Sequence, residues 1–483
     1  MSEQASAAGA GIGYFARFGV TERMIREALG AALSRGGDFA DVFFQHRVES
    51  DLALEDGAVN RAFGSVELGV GVRVVRGDQT GYGYTEDLSR EALLDAARTA
   101  AAIADGASRE APARLHVEPR PTGRYAARTP WDDGGAGAKL PLLERVNARL
   151  LEADPSVRKV NVYLHDESGA VLVADSAGRV VEDLQPMALL AASVLAERGG
   201  RREQNGYNVA ARAGLELFTP ELLDRLVRRA WERTAVLFEA GQPPAGEMPV
   251  VLAAGSSGIL LHEAIGHGME ADFARKGVSI YADKMGKPIA APFVSIVDDG
   301  TAPGARGSIH VDDEGNPAGR TVLVENGVLA SYLHDAISAR HYGVAPTGNG
   351  RRESYRYAPL PRMRSTYMLP GPHERDEIIR SVKKGIFCET FSNGQVQIGA
   401  GDFTFFVKNG WLIEDGRLTR PIKDVNLIGN GPRVLERIDM VSNDLAIDEG
   451  GWTCGKDGQS VPVSQGLPTV RVSSMTVGGR GQA

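Results

Sequence analysis

Only two cysteines, Cys388 and Cys454, occur in 483 residues. No disulfide framework can therefore hold this chain together. No apolar run reaches the length of a membrane span. Positive charge is not in excess: 54 Lys and Arg stand against 62 Asp and Glu, for a net charge of -8. That balance excludes a global basic field of the kind that holds DNA or RNA. The opening stretch, "MSEQASAAGAGIGYF", has neither the basic start nor the apolar core of a secretion signal. Together these absences predict a cytoplasmic protein with reduced thiols and neither membrane nor nucleic acid as partner.

What is present fits a soluble globular chain. Hydrophobic residues make up 43% and charged ones 24%, both ordinary values. The 59 glycines are spread along the chain, which favours many turns between strands. The length suits roughly two to four domains.

Helical and strand patterns alternate in the first half. "TERMIREALGAALSRG" (21–36) has apolar residues at helical spacing and a Thr cap. "ADVFFQHRVE" reads as a strand, and "LALEDGAVNRAFG" as a hairpin on Asp56-Gly57. Two more strands, "ELGVGVRVVRG" and "QTGYGYTED", lead to the amphipathic "SREALLDAARTAAAIADG". The same order then recurs. Helix "LPLLERVNARLLEAD" precedes four strand-like stretches, and "TPELLDRLVRRAWERTAVLFEA" closes the unit. We expect an N-terminal α+β domain over 1–240, built from two related α+β units at about 21–106 and 139–240.

Beyond the linker "AGQPPAGEMP" the chain turns strand-rich. "TVLVENGVLASYL" is a hairpin on Asn326-Gly327. "FTFFVKNGWLIEDGRLTRPI" carries two turn signals, Asn409-Gly410 and Asp415-Gly416. One helix, "PHERDEIIRSVKKG", is expected to stop at Gly385, and "LPTVRVSSMTVGG" is a final strand. The reading over 249–483 is a β-rich, barrel-like domain that also carries one special helix.

That helix contains "LHEAIGHGME". It resembles the zinc-protease signature His-Glu-x-x-His with one residue too many, since five positions separate His262 from His267. In a regular α-helix five residues advance about 140° past a full turn, so the two imidazoles point apart. A π-bulge or an early helix end would reunite them. Gly266 and Gly268 flank His267, and glycine tolerates the dihedrals of such a break. Ser256 or Ser257 is placed to cap the helix. The alternative is a buried helix whose histidines bond to backbone.

A catalytic zinc needs three protein ligands and an open position. No histidine follows His267 in "HGMEADFARKG". Glu270 and Asp272 are read as orienting ligands or stabilising the turn. Cys454, in the Gly-rich "GGWTCGKDGQSVPV", is the attractive third candidate, with Lys456 placed to favour its thiolate. Carboxylates remain the alternatives. Cys388, in "GIFCETF", reads as a small buried hydrophobe.

"RRESYRYAPLPRMRS" packs five arginines and two tyrosines around two prolines. The acidic net charge argues against nucleic-acid contact there. The stretch is read instead as an active-site wall or a set of partners for Asp and Glu. Arg351, Arg352, Tyr355 and Tyr357 are its substrate-binding candidates, and Tyr355, Tyr357 or a nearby arginine is the candidate for oxyanion stabilisation.

These stretches resemble the TldD/PmbA metalloproteases, the TldD branch in particular. "HEAIGHGMEADF", "GNGRRESYRYAPLPRMRSTYMLPG", "SNDLAIDEGGWTCGKDGQSVPV" and "SSMTVGG" carry the resemblance and span most of 250–479. The resemblance implies a zinc-dependent peptidase that trims unfolded or modified peptides, leader peptides of antibiotic precursors among them. It implies Zn2+ as cofactor, with His262, His267 and Cys454 as ligands and Glu263 as general base. It also implies a PmbA/TldE-like homologous subunit as partner; a homo-oligomer would serve the same end. The rival reading is a non-enzymatic, zinc-stabilised regulatory or binding subunit of a heteromer.

Overall fold

The computed structural model describes residues 12–125, 127–131, 135–397 and 399–478. Residues 1–11 of the opening stretch, residues 126, 132–134 and 398, and Gly479 of the closing strand lie outside them.

The N-terminal part builds one sheet. Helix α1 (Glu22–Ala32) begins where Thr21 Oγ1 accepts the Met24 N–H, capping an orphan donor. Strands β1 (Phe39–Glu55), β2 (Ala58–Arg76) and β3 (Gln79–Thr85) follow, and α2 (Arg90–Ala101) closes the first unit. The second unit repeats the order: α3 (Gly135–Leu151), β4 (Val157–Asp175), β5 (Arg179–Arg198), β6 (Arg201–Ala211) and α4 (Pro220–Ala235). The units are not separate layers. β1 pairs antiparallel with β4 from Asp41↔Asp175 to Glu55↔Asn161, which fuses both into a seven-stranded sheet completed by the short strand His116–Val117.

The strands are longer than the sequence divides them. "ADVFFQHRVE" and "LALE" form one 17-residue strand, and "RVVEDL" runs through Pro186 into "PMALLAASVLAER". Backbone pairing on both flanks carries β5 past Pro186, which sits opposite Ser168. The Asp56-Gly57 turn is as expected, with both residues at positive φ.

Alternation sorts the two faces of the sheet. Ala40, Val42 and Phe44 pack under α1 and α2, together with Val70, Val72 and Val74. Leu52, Leu54, Val160 and Val162 pack under α3 and α4. All four helices thus cover one face. Phe43, Val171, Val173 and Val181 on the other face meet Val311 and Tyr355 from the second half of the chain.

That second half contains a closed barrel. Its strands are β7 (Gly246–Leu252), β8 (Lys384–Gln397), β9 (Asp402–Glu414), β10 (Arg417–Asn430) and, after the hairpin β11 (Thr453–Lys456) and β12 (Gln459–Pro462), β13 (Val470–Gly478). The ring runs β10-β9-β8-β7-β13, and the Asn426–Ile428 segment of β10 pairs β13 to close it. A six-stranded sheet containing Ile296–Asp299, Ser365–Met368 and Ser464–Leu467 lies beside it. Residues 256–269 pack between barrel and sheet in one shared core. Among the described residues no helix is long and apolar enough to cross a membrane.

Two expectations fail here. Asn409-Gly410 is not a turn but the middle of β9, because Gly410 lets the strand press on β8: a Cβ there would lie 2.3 Å from the Phe387 carbonyl oxygen. The helix over "PHERDEIIRSVKKG" ends at Arg380, and Gly385 already belongs to β8. A Cβ on Gly385 would sit 2.5 Å from the Pro249 carbonyl of the adjacent strand, so this glycine serves strand packing and not helix termination.

Candidate metal centre

The extra residue between the histidines is absorbed by a π-turn. Residues 256–258 are 3-10, 259–261 α, 262–266 π and 267–269 3-10 again. The His267 N–H donates to the His262 carbonyl, five residues back. Glu270 then leaves helical space with ψ at 122°. The break therefore falls where the spacing demands it.

The glycines act differently from the sequence reading. Gly266 has ordinary helical dihedrals (φ -59°, ψ -46°). Its missing Cβ makes room instead: a Cβ would lie 2.1 Å from Met363 Sδ, and one on Gly268 would lie 2.7 Å from the Tyr281 ring. Neither Ser256 nor Ser257 caps the helix; Ser256 Oγ donates to the Glu389 carbonyl.

The π-turn brings the two imidazoles to a ring-centroid distance of 5.1 Å, nearly perpendicular. Cys454 completes the group. Its Sγ is 3.4 Å from His267 Nε2, and one donor atom from each of His262, His267 and Cys454 lies within 4.8 Å of the others. Cys454 is not in a loop, as its glycines suggest, but in β11, where strand alternation turns it into the core. Cys388 is fully buried in β8, and burial pushes its thiol well up.

The donor set fits a soft divalent ion. The ring nitrogens of His262 are buried without a hydrogen-bond partner at ordinary distance, and an ion would take one of them, relieving a cost of about 1–3 kcal/mol. Two imidazoles and a thiolate are borderline-soft ligands of the kind zinc takes. Burial pushes the Cys454 thiol up, but His262 and His267 beside it override burial and hold it well below its ordinary range. Lys456 does not supply that effect, since its ammonium is engaged by Glu270 and Asp272. Burial lowers His267, and the Glu270 carboxylate, accepting from Nδ1 at 3.0 Å, together with Cys454 more than reverses this. Nε2 is left facing Cys454, the arrangement second-shell carboxylates impose on ligand histidines.

Glu263 differs from its neighbours. Its side chain is 21% exposed, whereas those of His267 and Glu270 are 4% and 0%, and its Oε2 lies 3.9 Å from His267 Nε2. A carboxylate on the rim of three buried donors is within reach of water and of anything bound there.

The arginine-rich stretch lies elsewhere than its substrate-binding reading placed it. Arg352 is buried against Phe43 of the N-terminal sheet; its guanidinium donates to Asp41, Tyr82 and the Asp313 carbonyl. Tyr355 is fully buried, its ring filling the space over Gly69, where a Cβ would lie 2.3 Å away. Its hydroxyl donates to Glu86. These two residues join the halves of the chain. Arg351 is also buried and grips two carbonyls, Met363 O at 2.6 Å and Pro462 O at 2.8 Å. Tyr357 alone of the four is half-buried. The reading of arginines pairing with carboxylates holds, with Arg356 on Glu67 and Glu86 and Arg364 on Asp298. Arg352→Ala should therefore destabilise the fold by about 3–5 kcal/mol, the cost of breaking a buried charge network. Thermal melting should register that loss, while metal-binding stoichiometry stays unchanged.

One contributor escaped the sequence reading. Arg362 is fully buried, and its Nη2 donates to the Cys454 carbonyl at 2.6 Å. It anchors the hairpin that bears the thiol. Only its place among the clustered arginines hinted at such a role.

The chain is similar to known proteins over most of its length. Residues 40–104 match the PmbA/TldA metallopeptidase domain 1, residues 130–238 the central domain and residues 245–479 the C-terminal domain. The metalloprotease TldD homolog of Haemophilus influenzae is 40% identical over 453 residues, 92% of this chain and 94% of that protein. The zinc metalloprotease TldD homolog of Saccharolobus solfataricus is 26% identical over 446 residues, 92% of this chain and 97% of that protein. Among solved structures, TldE from Thermococcus kodakarensis shares the fold at a TM-score of 0.72 and 18% identity, over 95% of this chain and 99% of that one. A Thermotoga maritima protein described as a modulator of a DNA gyrase has a TM-score of 0.76 and 22% identity, over 95% of this chain and all of that one.

Proposed function

The chain belongs to the PmbA/TldD family of metallopeptidases, and from that premise we propose that it is the zinc-dependent catalytic subunit of a peptidase for unfolded or modified peptides. His262, His267 and Cys454 hold the ion and Glu263 is the general base. The observation that carries this reading is the pair of unpartnered, buried His262 nitrogens within reach of His267 and the Cys454 thiol. When bound, zinc supplies a Lewis acid that makes water nucleophilic at neutral pH and polarises the scissile carbonyl.

The chain's own residues supply the rest. Glu270 keeps the His267 ring in one tautomer through Nδ1. Arg362 and Arg351 fix the hairpin of Cys454 through its carbonyls. Glu263, beside His262 and partly exposed, takes a proton from water at its carboxylate and returns it to the leaving amine. The working unit pairs this chain with a homologous TldE-like chain in the cytoplasm; the shared fold with TldE supports that pairing.

Metal analysis combined with turnover of an unstructured peptide tests the reading, with and without the homologous subunit of the same cell. One zinc per chain is expected, with cleavage that a chelator abolishes and the partner raises. A chain that contains no zinc, or cleaves at full rate as a chelator-treated monomer, would overturn it.

A further inference from the structure

The ligands arrive on two elements far apart in sequence, and they meet only through the donor cluster itself, where Cys454 Sγ lies 3.4 Å from His267 Nε2. Something else must set the hairpin β11–β12 in register with the histidine helix. We propose that Lys456 is the positioning residue that does so, stapling the thiolate strand to the imidazole helix through Glu270. The inference rests on the zinc reading above and adds to it a residue that touches no ligand atom.

Cys454 and Lys456 are two apart on β11, so alternation sends both side chains inward, while Thr453 and Gly455 face out. Lys456 Nζ donates to Glu270 Oε2 at 3.0 Å, Asp272 Oδ1 at 2.8 Å and the Pro361 carbonyl at 3.1 Å. All three of its protons are placed. The Phe273 ring lies 4.2 Å away on a further side. The side chain is 2% exposed, and Glu270 is fully buried.

Glu270 Oε2 is the hinge of the arrangement. The same oxygen accepts from Lys456 and from His267 Nδ1. A closed loop results: Cys454 to Lys456 along the strand, the Lys456 ammonium to Glu270, Glu270 to the His267 ring, and that ring back to Cys454. Every link is a bond or a contact within 3.4 Å. Glu270 Oε1 has no partner of its own, so the carboxylate's place between helix and hairpin depends on the ammonium. Remove the ammonium and the buried carboxylate keeps only its bond to His267 Nδ1 and loses its tie to the hairpin. It would then turn away or bind a proton, and His267 would lose its orientation.

Titration of Lys456→Met with Co2+ and Zn2+ against a competing chelator tests this, with the visible spectrum of the cobalt form as second readout. Metal affinity should fall about 10–100-fold, the usual effect of losing an outer-shell partner. The thiolate-to-cobalt band should weaken or shift, whereas Cys388→Ser, a buried change outside the loop, should leave the band alone. Lys456→Arg should restore part of the affinity by keeping the charge. Should Lys456→Met fail to fold, the double variant Lys456→Met/Glu270→Gln, which leaves no lone charge between Glu270 and Lys456, is judged by the same criteria. Metal affinity within twofold of the parent with an unchanged cobalt spectrum would overturn the staple. A parent chain that binds neither ion would instead overturn the zinc reading beneath it.

Discussion

Glu263→Gln should leave zinc in place and slow peptide cleavage by about 100- to 10,000-fold, the range that one positioned acid–base group contributes. The amide keeps the size and hydrogen bonding of the carboxylate but cannot take a proton. Its side chain sits at the partly open rim of the centre, so the exchange disturbs no core packing. Glu263 stands outside the donor group of His262, His267 and Cys454, as the proposed role of a base requires. Metal content by mass spectrometry and kcat on an unstructured peptide decide the matter together. Near-normal turnover in the variant would remove Glu263 from the chemistry. Loss of zinc along with activity would make it a ligand.

The second large effect separates the two cysteines. Cys454→Ser should lower zinc affinity by more than about 100-fold, beyond what an outer-shell change costs, and abolish cleavage. A hydroxyl does not ionise where a thiol does, and it is too hard a ligand to replace thiolate in this set. Cys388→Ser should keep full zinc stoichiometry. It places a hydroxyl in the apolar interior of β8 and should cost about 1–3 kcal/mol of stability, read as a lower melting temperature. Reversed behaviour of the two variants would move the third ligand away from Cys454.

The histidine spacing was legible because it sets a geometric problem with few solutions. Five residues misalign two imidazoles in any regular helix, and the π-turn over His262–Gly266 is one of the two remedies that polymer geometry offers. The function of the flanking glycines was not legible. Their dihedrals are ordinary, and the constraint is the bulk of Met363 and Tyr281, residues that lie outside the motif. The same blindness explains Asn409-Gly410. A dipeptide that marks a turn by local preference marks a close strand contact when another strand lies against it. Arg352 and Tyr355 were read as facing substrate because clustered charge and aromatics suggest an exposed site. Their partners, Asp41 and Gln45, lie some three hundred residues away, and only folding brings them near. Barrel strands and sheet units, by contrast, rest on alternation within a few residues, and those the sequence displays.

Closure of the barrel has a consequence for how the protein is made. Strand β7, near residue 250, lies between β8 and β13, so it waits for more than a hundred residues of chain before its first neighbour emerges from the ribosome. Its second neighbour is the final strand. The thiol at 454 belongs to the hairpin just before that strand, so the nascent chain carries both imidazoles long before it carries the sulfur. Contacts so distant along the chain form slowly, and an unfinished barrel leaves the apolar histidine segment uncovered, open to aggregation. On the zinc reading proposed above, the order of synthesis supplies the third ligand about 190 residues after the two imidazoles.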